Sequence, residues 1–329
     1  MPSGYATSTS FSKHTVDIPA HLASVHRMLT PTLRVAFFLA ACCPPAFAAE
    51  TAPAAPVTAP ASAALFDYDH SAPLDIREVE STTRDGALIR DVTFHGSKSP
   101  VKAYIVTPAT VSASMAGILY VHWLGDAETS NSTEFLNEAV ALAGQGIVSV
   151  LVDAMWSQPK WYQTRVPEED YERSIQQVIG LRRAMDVLLS QQGVDPKRIA
   201  YVGHDFGAMY GIVMGAIDRR ASTYVLMAGT PHFIDWFLFA QKPKSPENYR
   251  RQLAPLDPVN FIGLLAPAPV FFQFAAHDEY VSPEAAAAIY AAAKPRKQTA
   301  MYDAGHDLRN ADASADRVTW LIRTLAPQR

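Results

Sequence analysis

The stretch "RIAYVGHDFGAMYG", Arg198 to Gly211, reads as an apolar strand that runs into a glycine turn and then a helix, with Asp205 where the turn is sharpest. Its centre, Gly203-His204-Asp205-Phe206-Gly207, has the G-x-S-x-G form with Asp in place of Ser. Glycines flanking the central residue let strand and helix approach closely, which forces the middle side chain out at the carboxyl end of a sheet. Alone the pattern is weak. Its position directly between a strand and a helix strengthens it, and so do an acid and a histidine later in the chain.

The surrounding chain alternates apolar strands with helices. "GILYVHW" from Gly117 and "GIVSVLVDA" from Gly146 are continuous apolar strands of the kind that a parallel sheet covers on both faces, and "RIAYVG", "STYVLMAG", "PVFFQFA" and "QTAMYDA" read as further strands. Helices are predicted after Asn131, from Phe206, from Ser282 and at the C-terminus. Another is expected within 168–193, where Ile175, Val178, Leu181, Met185 and Leu188 keep helical spacing before Gly193. The segment from Thr230 to Asp257 reads as irregular. Ahead of these, "IREVEST", "LIRDVTFHG" and "KAYIVTP" are separated by turn signals and predict antiparallel strands at one sheet edge. The fold class is therefore α/β, a doubly wound, mostly parallel sheet with antiparallel N-terminal edge strands.

Two further residues lie just past strands, where such a sheet gathers its site residues. Asp278 follows "PVFFQFA" and His306 follows "QTAMYDA". The order Asp205, Asp278, His306 is that of nucleophile, orienting acid and base. Backbone N–H groups of Leu124 and Phe206 are candidates for an oxyanion hole, and His122 for orienting the loop that carries Trp123 and Leu124. Trp123, Trp156, Trp161, Tyr162 and Trp236 stand in loops near strand ends, with at least half expected in the core and the rest on an apolar pocket. His204 and His277 adjoin the candidates but should point elsewhere on a regular backbone.

At the N-terminus, Arg34, the apolar run from Val35 to Ala41 and the Ala46-Phe47-Ala48 pattern resemble a secretory signal peptide over 28–48, with Met28 as the expected start. The run is too short for a membrane span, which needs about 20 apolar residues. Export is the expectation, to the periplasm or the medium. "LAAC", Leu39 to Cys42, also resembles a lipobox, which would place a lipid anchor at Cys42. Residues 49–64 are rich in Ala, Pro and Thr and predict an extended linker, leaving 65–329 as a single domain.

Composition excludes other classes. With 28 Lys and Arg against 32 Asp and Glu there is no basic run that could follow a phosphate backbone, so nucleic-acid binding is not expected. Both cysteines lie at 42–43, outside the domain, which removes a cysteine nucleophile, an internal disulfide and a thiolate zinc site. The histidines are scattered and no HExxH occurs, so neither a metal nor another cofactor is implied.

Residues 66–329 resemble an α/β-hydrolase of the dienelactone hydrolase-like or acetyl xylan esterase-like kind. The resemblance rests on "LYVHWLG", "YVGHDFGAMYG", "LDPVNFIGLLAPAPVFFQFAAHDEYVSPEAA" and "YDAGHDL". It implies hydrolysis of a small-molecule substrate without a cofactor. Those relatives carry Ser or Cys where Asp205 stands; an Asp elbow instead resembles haloalkane dehalogenases and epoxide hydrolases, which imply an ester-linked intermediate. The chain departs from these as well. It has His122-Trp123-Leu124-Gly125 rather than HGxP, Phe206 where Trp often follows the dehalogenase Asp, and only a short insertion in place of a helical cap. Three readings stay open on the sequence: a carboxylate nucleophile, an ester hydrolase using Asp205 unconventionally, and an inactive binding protein.

Overall fold

The computed structural model describes residues 63–125, 133–239 and 243–327, so the expected signal peptide, Cys42 and all but the end of the linker lie outside the described residues. Ala63–Phe66 form a turn of 3₁₀ helix, so the last two residues of the predicted linker are already structured.

Nine strands make one sheet: β1 Arg77–Arg84, β2 Ala87–His95, β3 Pro100–Pro108, β4 Met115–Val121, β5 Ile147–Val152, β6 Val194–His204, β7 Thr223–Met227, β8 Val270–Ala275 and β9 Lys297–Tyr302. Their order is β1-β2-β3-β5-β4-β6-β7-β8-β9. The pairs from β1 through β3 to β5 are antiparallel, and all pairs from β5 to β9 are parallel. This is the doubly wound sheet with an antiparallel edge expected from the alternation. The connection from β4 to β5 runs to one side and that from β5 to β6 returns past β4. The chain direction therefore switches between β4 and β6, and a crevice opens at their carboxyl ends. β6 begins four residues earlier than the sequence predicts, because Val194 extends the pairing beside Met115.

The helices are α1 Leu136–Ala143, α2 Trp161–Thr164, α3 Asp170–Leu189, α4 Phe206–Ile217, α5 Ile234–Phe237, α6 Pro246–Leu253, α7 Pro283–Ala292 and α8 Ala311–Thr324. The stretch 230–257 thus holds two short helices, and Pro246 at the first turn of α6 fits the preset backbone angle of that position. Caps explain two other starts. Ser282 accepts the Ala285 N–H at the head of α7, and Asn310 accepts those of Asp312 and Ala313 at the head of α8.

Alternation along β4 divides the helices between the two faces. A methyl group on Gly117 would press on Leu188 of α3, whereas Tyr120, of opposite parity, reaches Glu138 of α1 at 3.1 Å. The strand cores, such as Ile118, Leu119, Val150, Val202 and Val225, are fully buried between these layers. On the α1 face a buried polar network ties both helices to the sheet. Arg317 of α8 donates to Glu138 at 2.7 Å and to Gln273 of β8 at 3.0 Å, and Gln273 donates to Tyr302 and to the Ala313 carbonyl.

A buried ion pair adds little beyond an apolar pair of the same shape, yet breaking it strands a charge. Arg317→Ala should therefore lower the unfolding free energy by about 3–5 kcal/mol in chemical denaturation. The double change Arg317→Met with Glu138→Leu should recover most of that loss. A cost for Arg317→Ala of under about 1 kcal/mol, the range of exposed pairs, would mean the pair does not pin α1 to α8.

Candidate active site

Asp205 is the single residue between β6 and α4, and its backbone lies at φ 58° and ψ −120°. A non-glycine residue there costs about 1–3 kcal/mol, so its surroundings must hold it. Its N–H donates to the Met227 carbonyl at 2.8 Å, and its carbonyl accepts from Met209 at 3.1 Å. The two flanking glycines explain the tightness of the turn. A Cβ on Gly203 would collide with the Gly207 carbonyl, and one on Gly207 with the Val121 carbonyl of β4.

This turn buries the Asp205 side chain, 1% exposed, at the switch point of the sheet. Oδ2 accepts the Leu124 N–H at 2.9 Å. Oδ1 has no hydrogen-bond partner among the described residues. His306, on the loop after β9, brings Nε2 to 3.9 Å from Oδ2, and Nε2 is likewise unpartnered. The other ring nitrogen, Nδ1, lies 2.9 Å from both oxygens of Asp278, on the loop after β8. Asp278 is fixed in turn by the N–H groups of Tyr280 and Val281, each at 2.9 Å. The structure thus brings Asp205, Asp278 and His306 into one array.

Burial and charge set the protonation of this array. Burial pushes the Asp205 carboxyl up, against the pull of His306 and of the Leu124 N–H. Burial acts the same way on Asp278, but His306 and the two backbone N–H groups outweigh it and hold that carboxyl below its ordinary value. Burial alone would lower the His306 imidazole; the carboxylates of Asp205 and Asp278 on its two sides raise it to about 9. At neutral pH the ring is therefore held as an imidazolium between the two carboxyl groups.

Around this centre lies a second ring of contacts. The Nε2 of His122 accepts the Ala154 N–H at 3.2 Å, which places the ring proton on Nδ1, where it meets the Trp123 carbonyl at 2.7 Å. Burial lowers the His122 pKa. His122 thus braces the loop that presents Leu124. His204 does not join Asp205 in the cavity wall, yet it supports the site. Its Nε2–H donates to the His306 carbonyl at 2.9 Å, its Nδ1 meets Glu134 at 2.7 Å, and its ring stacks on Trp123 at 5.3 Å. Glu134 also accepts the Trp123 N–H at 2.8 Å. The pair Glu134 and His204 therefore links the loop after β4 to the loop carrying His306. His204 is visible in the motif itself, but nothing local marks Glu134. His277 stays at the surface, 2.8 Å from Asp303.

A cavity of about 810 Å³ opens over Asp205 and His306. Trp123, Leu124, Phe206, Tyr162 and Trp236 line it, as does Tyr280, which no sequence motif singles out. Trp123, Trp236 and Tyr280 stand 5.9, 5.2 and 5.0 Å from the His306 ring. Trp156 and Trp161 instead pack against Phe206 in the core, at 5.5 and 5.9 Å. Of the backbone donors expected for an oxyanion hole, Leu124 engages Asp205 itself. Among the described residues no cluster of three His, Cys, Asp or Glu side chains is placed to hold a metal ion, and no helix is long and apolar enough to cross a membrane.

A nine-stranded sheet with its elbow after β6, acid after β8 and histidine after β9 is the α/β-hydrolase fold. No family model matches the sequence, and no curated protein matches it in sequence. Solved structures do match. The chain is similar to an acetyl xylan esterase from a Paenibacillus species at 18% identity and TM-score 0.64, over 80% of this chain and 91% of that one. It is also similar to an acetyl xylan esterase from a Thermoanaerobacterium species at 15% identity and TM-score 0.65, over 82% and 96%. An esterase domain from Rhodothermus marinus aligns at 17% identity and TM-score 0.53, over 72% and 100%. At these identities the likeness speaks for the fold.

In the resting protein the His306 ring should titrate near 9. Asp205→Asn removes one of its two anions and should lower that value, since burial then opposes the imidazolium with less to offset it. NMR of the imidazole ring across pH measures both midpoints. An unchanged midpoint in the variant would show that Asp205 does not support the His306 charge.

Proposed function

We propose that the protein is a hydrolase of small, partly apolar molecules that acts at a tetrahedral carbon through an ester-linked intermediate on Asp205. The observation that carries this reading is the state of the Asp205 carboxylate: Oδ2 is engaged by the Leu124 N–H, while Oδ1 is buried and unpartnered in the cavity wall. In the first step Oδ1 attacks carbon and the bond to the leaving group breaks with its electron pair. The product is an alkyl ester whose carbonyl oxygen is Oδ2.

Forming that ester removes the negative charge of Asp205. The His306 pKa then falls, because one of the two carboxylates that raised it is gone. The ring can now release its proton and accept another from water, with Asp278 holding its orientation. That water attacks Cγ of Asp205, the tetrahedral oxyanion develops on Oδ2, and the Leu124 N–H is already 2.9 Å from it. Collapse expels the alkoxide, which takes back from His306 the proton drawn from water and leaves as the alcohol. The acid formed at Asp205 then gives its proton to the ring, restoring the carboxylate and the imidazolium.

The esterases to which the fold is similar favour a second reading, hydrolysis of a carboxylic ester. Carboxylate attack on an ester carbonyl would give a mixed anhydride, so on this reading Asp205 would serve as a base toward water.

Solvent oxygen distinguishes the two. In a single turnover in heavy-oxygen water, with an alkyl halide or epoxide found to be turned over, we expect unlabelled alcohol oxygen from the first cycle and label in the peptide that contains Asp205. Label in the product with none in the protein would end the nucleophile reading. His306→Gln should slow only ester cleavage, so intact-mass analysis should find the covalent adduct accumulating. Unchanged steady-state turnover without an adduct would remove His306 from the mechanism.

A further inference from the structure

Beyond the reacting atoms, the cavity carries a charge pattern that the hydrolytic mechanism leaves unused. Its wall includes the carboxylates of Asp235, Glu279 and Asp307 in addition to Asp205. Among the described residues that line it, His306 is the sole basic side chain, and it is already committed to Asp278 and Asp205. Asp307 has Arg309 at 3.5 Å. Asp235 and Glu279 have no cationic side chain within 4.0 Å among the described residues. Asp235 is exposed, as is Glu279, so both carboxylates are open to a ligand from solvent. Partial desolvation pushes the Asp235 carboxyl up, and His232 and Arg250 offset that only from a distance.

These two acids each precede an aromatic residue of the same wall. Asp235 leads into Trp236 and Glu279 into Tyr280, whose rings lie 6.4 Å apart, and Phe239 meets Tyr280 edge to face at 5.7 Å. Phe239 is 70% exposed, so the apolar lip faces solvent. Aromatic faces and carboxylates attract the same kind of ligand, a weakly hydrated organic cation, and both repel anions. The rings of Trp236 and Tyr280 already stand 5.2 and 5.0 Å from the His306 imidazolium. A ligand cation therefore belongs at the outer wall, which leaves the rest of the molecule to extend inward to the unpartnered Oδ1 of Asp205.

We propose that the site takes organic cations: its substrates carry an ammonium-type group held between Asp235 and Glu279 against the rings of Trp236 and Tyr280. This deepens the hydrolase reading and rests on it for the word substrate. The binding preference itself needs no turnover.

The test is equilibrium binding to the full protein by calorimetry, with tetramethylammonium, tert-butanol and pivalate as cationic, neutral and anionic probes of similar size. Tetramethylammonium should bind at least about tenfold more tightly than tert-butanol, and pivalate most weakly. Added sodium chloride should narrow the difference. In the double variant Asp235→Asn with Glu279→Gln the preference for the cation should fall about tenfold while tert-butanol binds as before, which also reports an intact cavity. Equal or tighter binding of tert-butanol or pivalate by the unmodified protein overturns the inference, whatever the variant does. So does a cation preference that survives the double substitution. An unmodified protein that takes solvent label into Asp205 but shows no cation preference defeats this inference alone. A cation preference in a protein that takes up no label defeats the nucleophile reading alone.

Discussion

A carboxylate held at positive φ between two glycines is the constraint on which the site depends. Asp205 can occupy that backbone only because Gly203 and Gly207 let β6, α4 and the end of β4 close on one another, and because Met227 and Met209 take up its peptide groups. The same closure places the carboxylate at the head of α4, where the aligned peptide dipoles favour negative charge. It also presents the carboxylate to the Leu124 N–H of the next loop. Side chain, helix and loop are therefore set together. A shift of the elbow would cost the oxyanion contact as well as the distance to His306.

The second organising element is charge balance. One imidazole between two carboxylates is stable as a cation in a buried site, and it carries the proton that the resting state needs. Esterification of one carboxylate would leave the same ring with a single anion, and burial would then favour the neutral form. The chemistry of the first step would thus prepare the base for the second without any movement of the chain. Glu134 and His204 suit such a device. They fix the His306 backbone and the Trp123 loop to each other, so that proton affinity can change while geometry does not.

Much of the fold is legible in the sequence because its signals are local. Continuous apolar strands, the glycine-bounded turn at 203–207 and the helical spacing within 168–193 each depend on neighbours in sequence. The positions of Asp278 and His306 can be read from what precedes them, a strand in each case, buried in β8 and largely exposed in β9. Contacts made across the fold leave no such trace. Glu134 meets His204 across 70 residues, and no motif around it announces a carboxylate bound to two loops. The tryptophans make the same point. Trp156 and Trp236 both stand in single helical turns beside Phe206, yet Trp156 is buried in the core while Trp236 also reaches the cavity over His306. His204 escapes a local reading for a related reason. A strand residue does point away from its neighbour, but here that direction leads beneath the loop after β9, where the His306 carbonyl waits.

The resting contact between Leu124 and Asp205 bears on which electrophile suits the site. In an acyl-transferring elbow the backbone donors stand ready for the oxygen of the substrate's carbonyl, which must enter the oxyanion hole as the nucleophile attacks. Here that donor already holds Oδ2 of Asp205. An ester substrate would have to displace this oxygen to gain the same stabilisation, and would leave a buried carboxylate without its backbone partner. An alkyl electrophile needs no such exchange. It would require only Oδ1, and the negative charge proposed to form during ester cleavage would appear on Oδ2, where the donor already is. On the proposed mechanism a carboxylate in place of a hydroxyl would move the oxyanion from the substrate to the protein, and with it the point at which the barrier would be lowered.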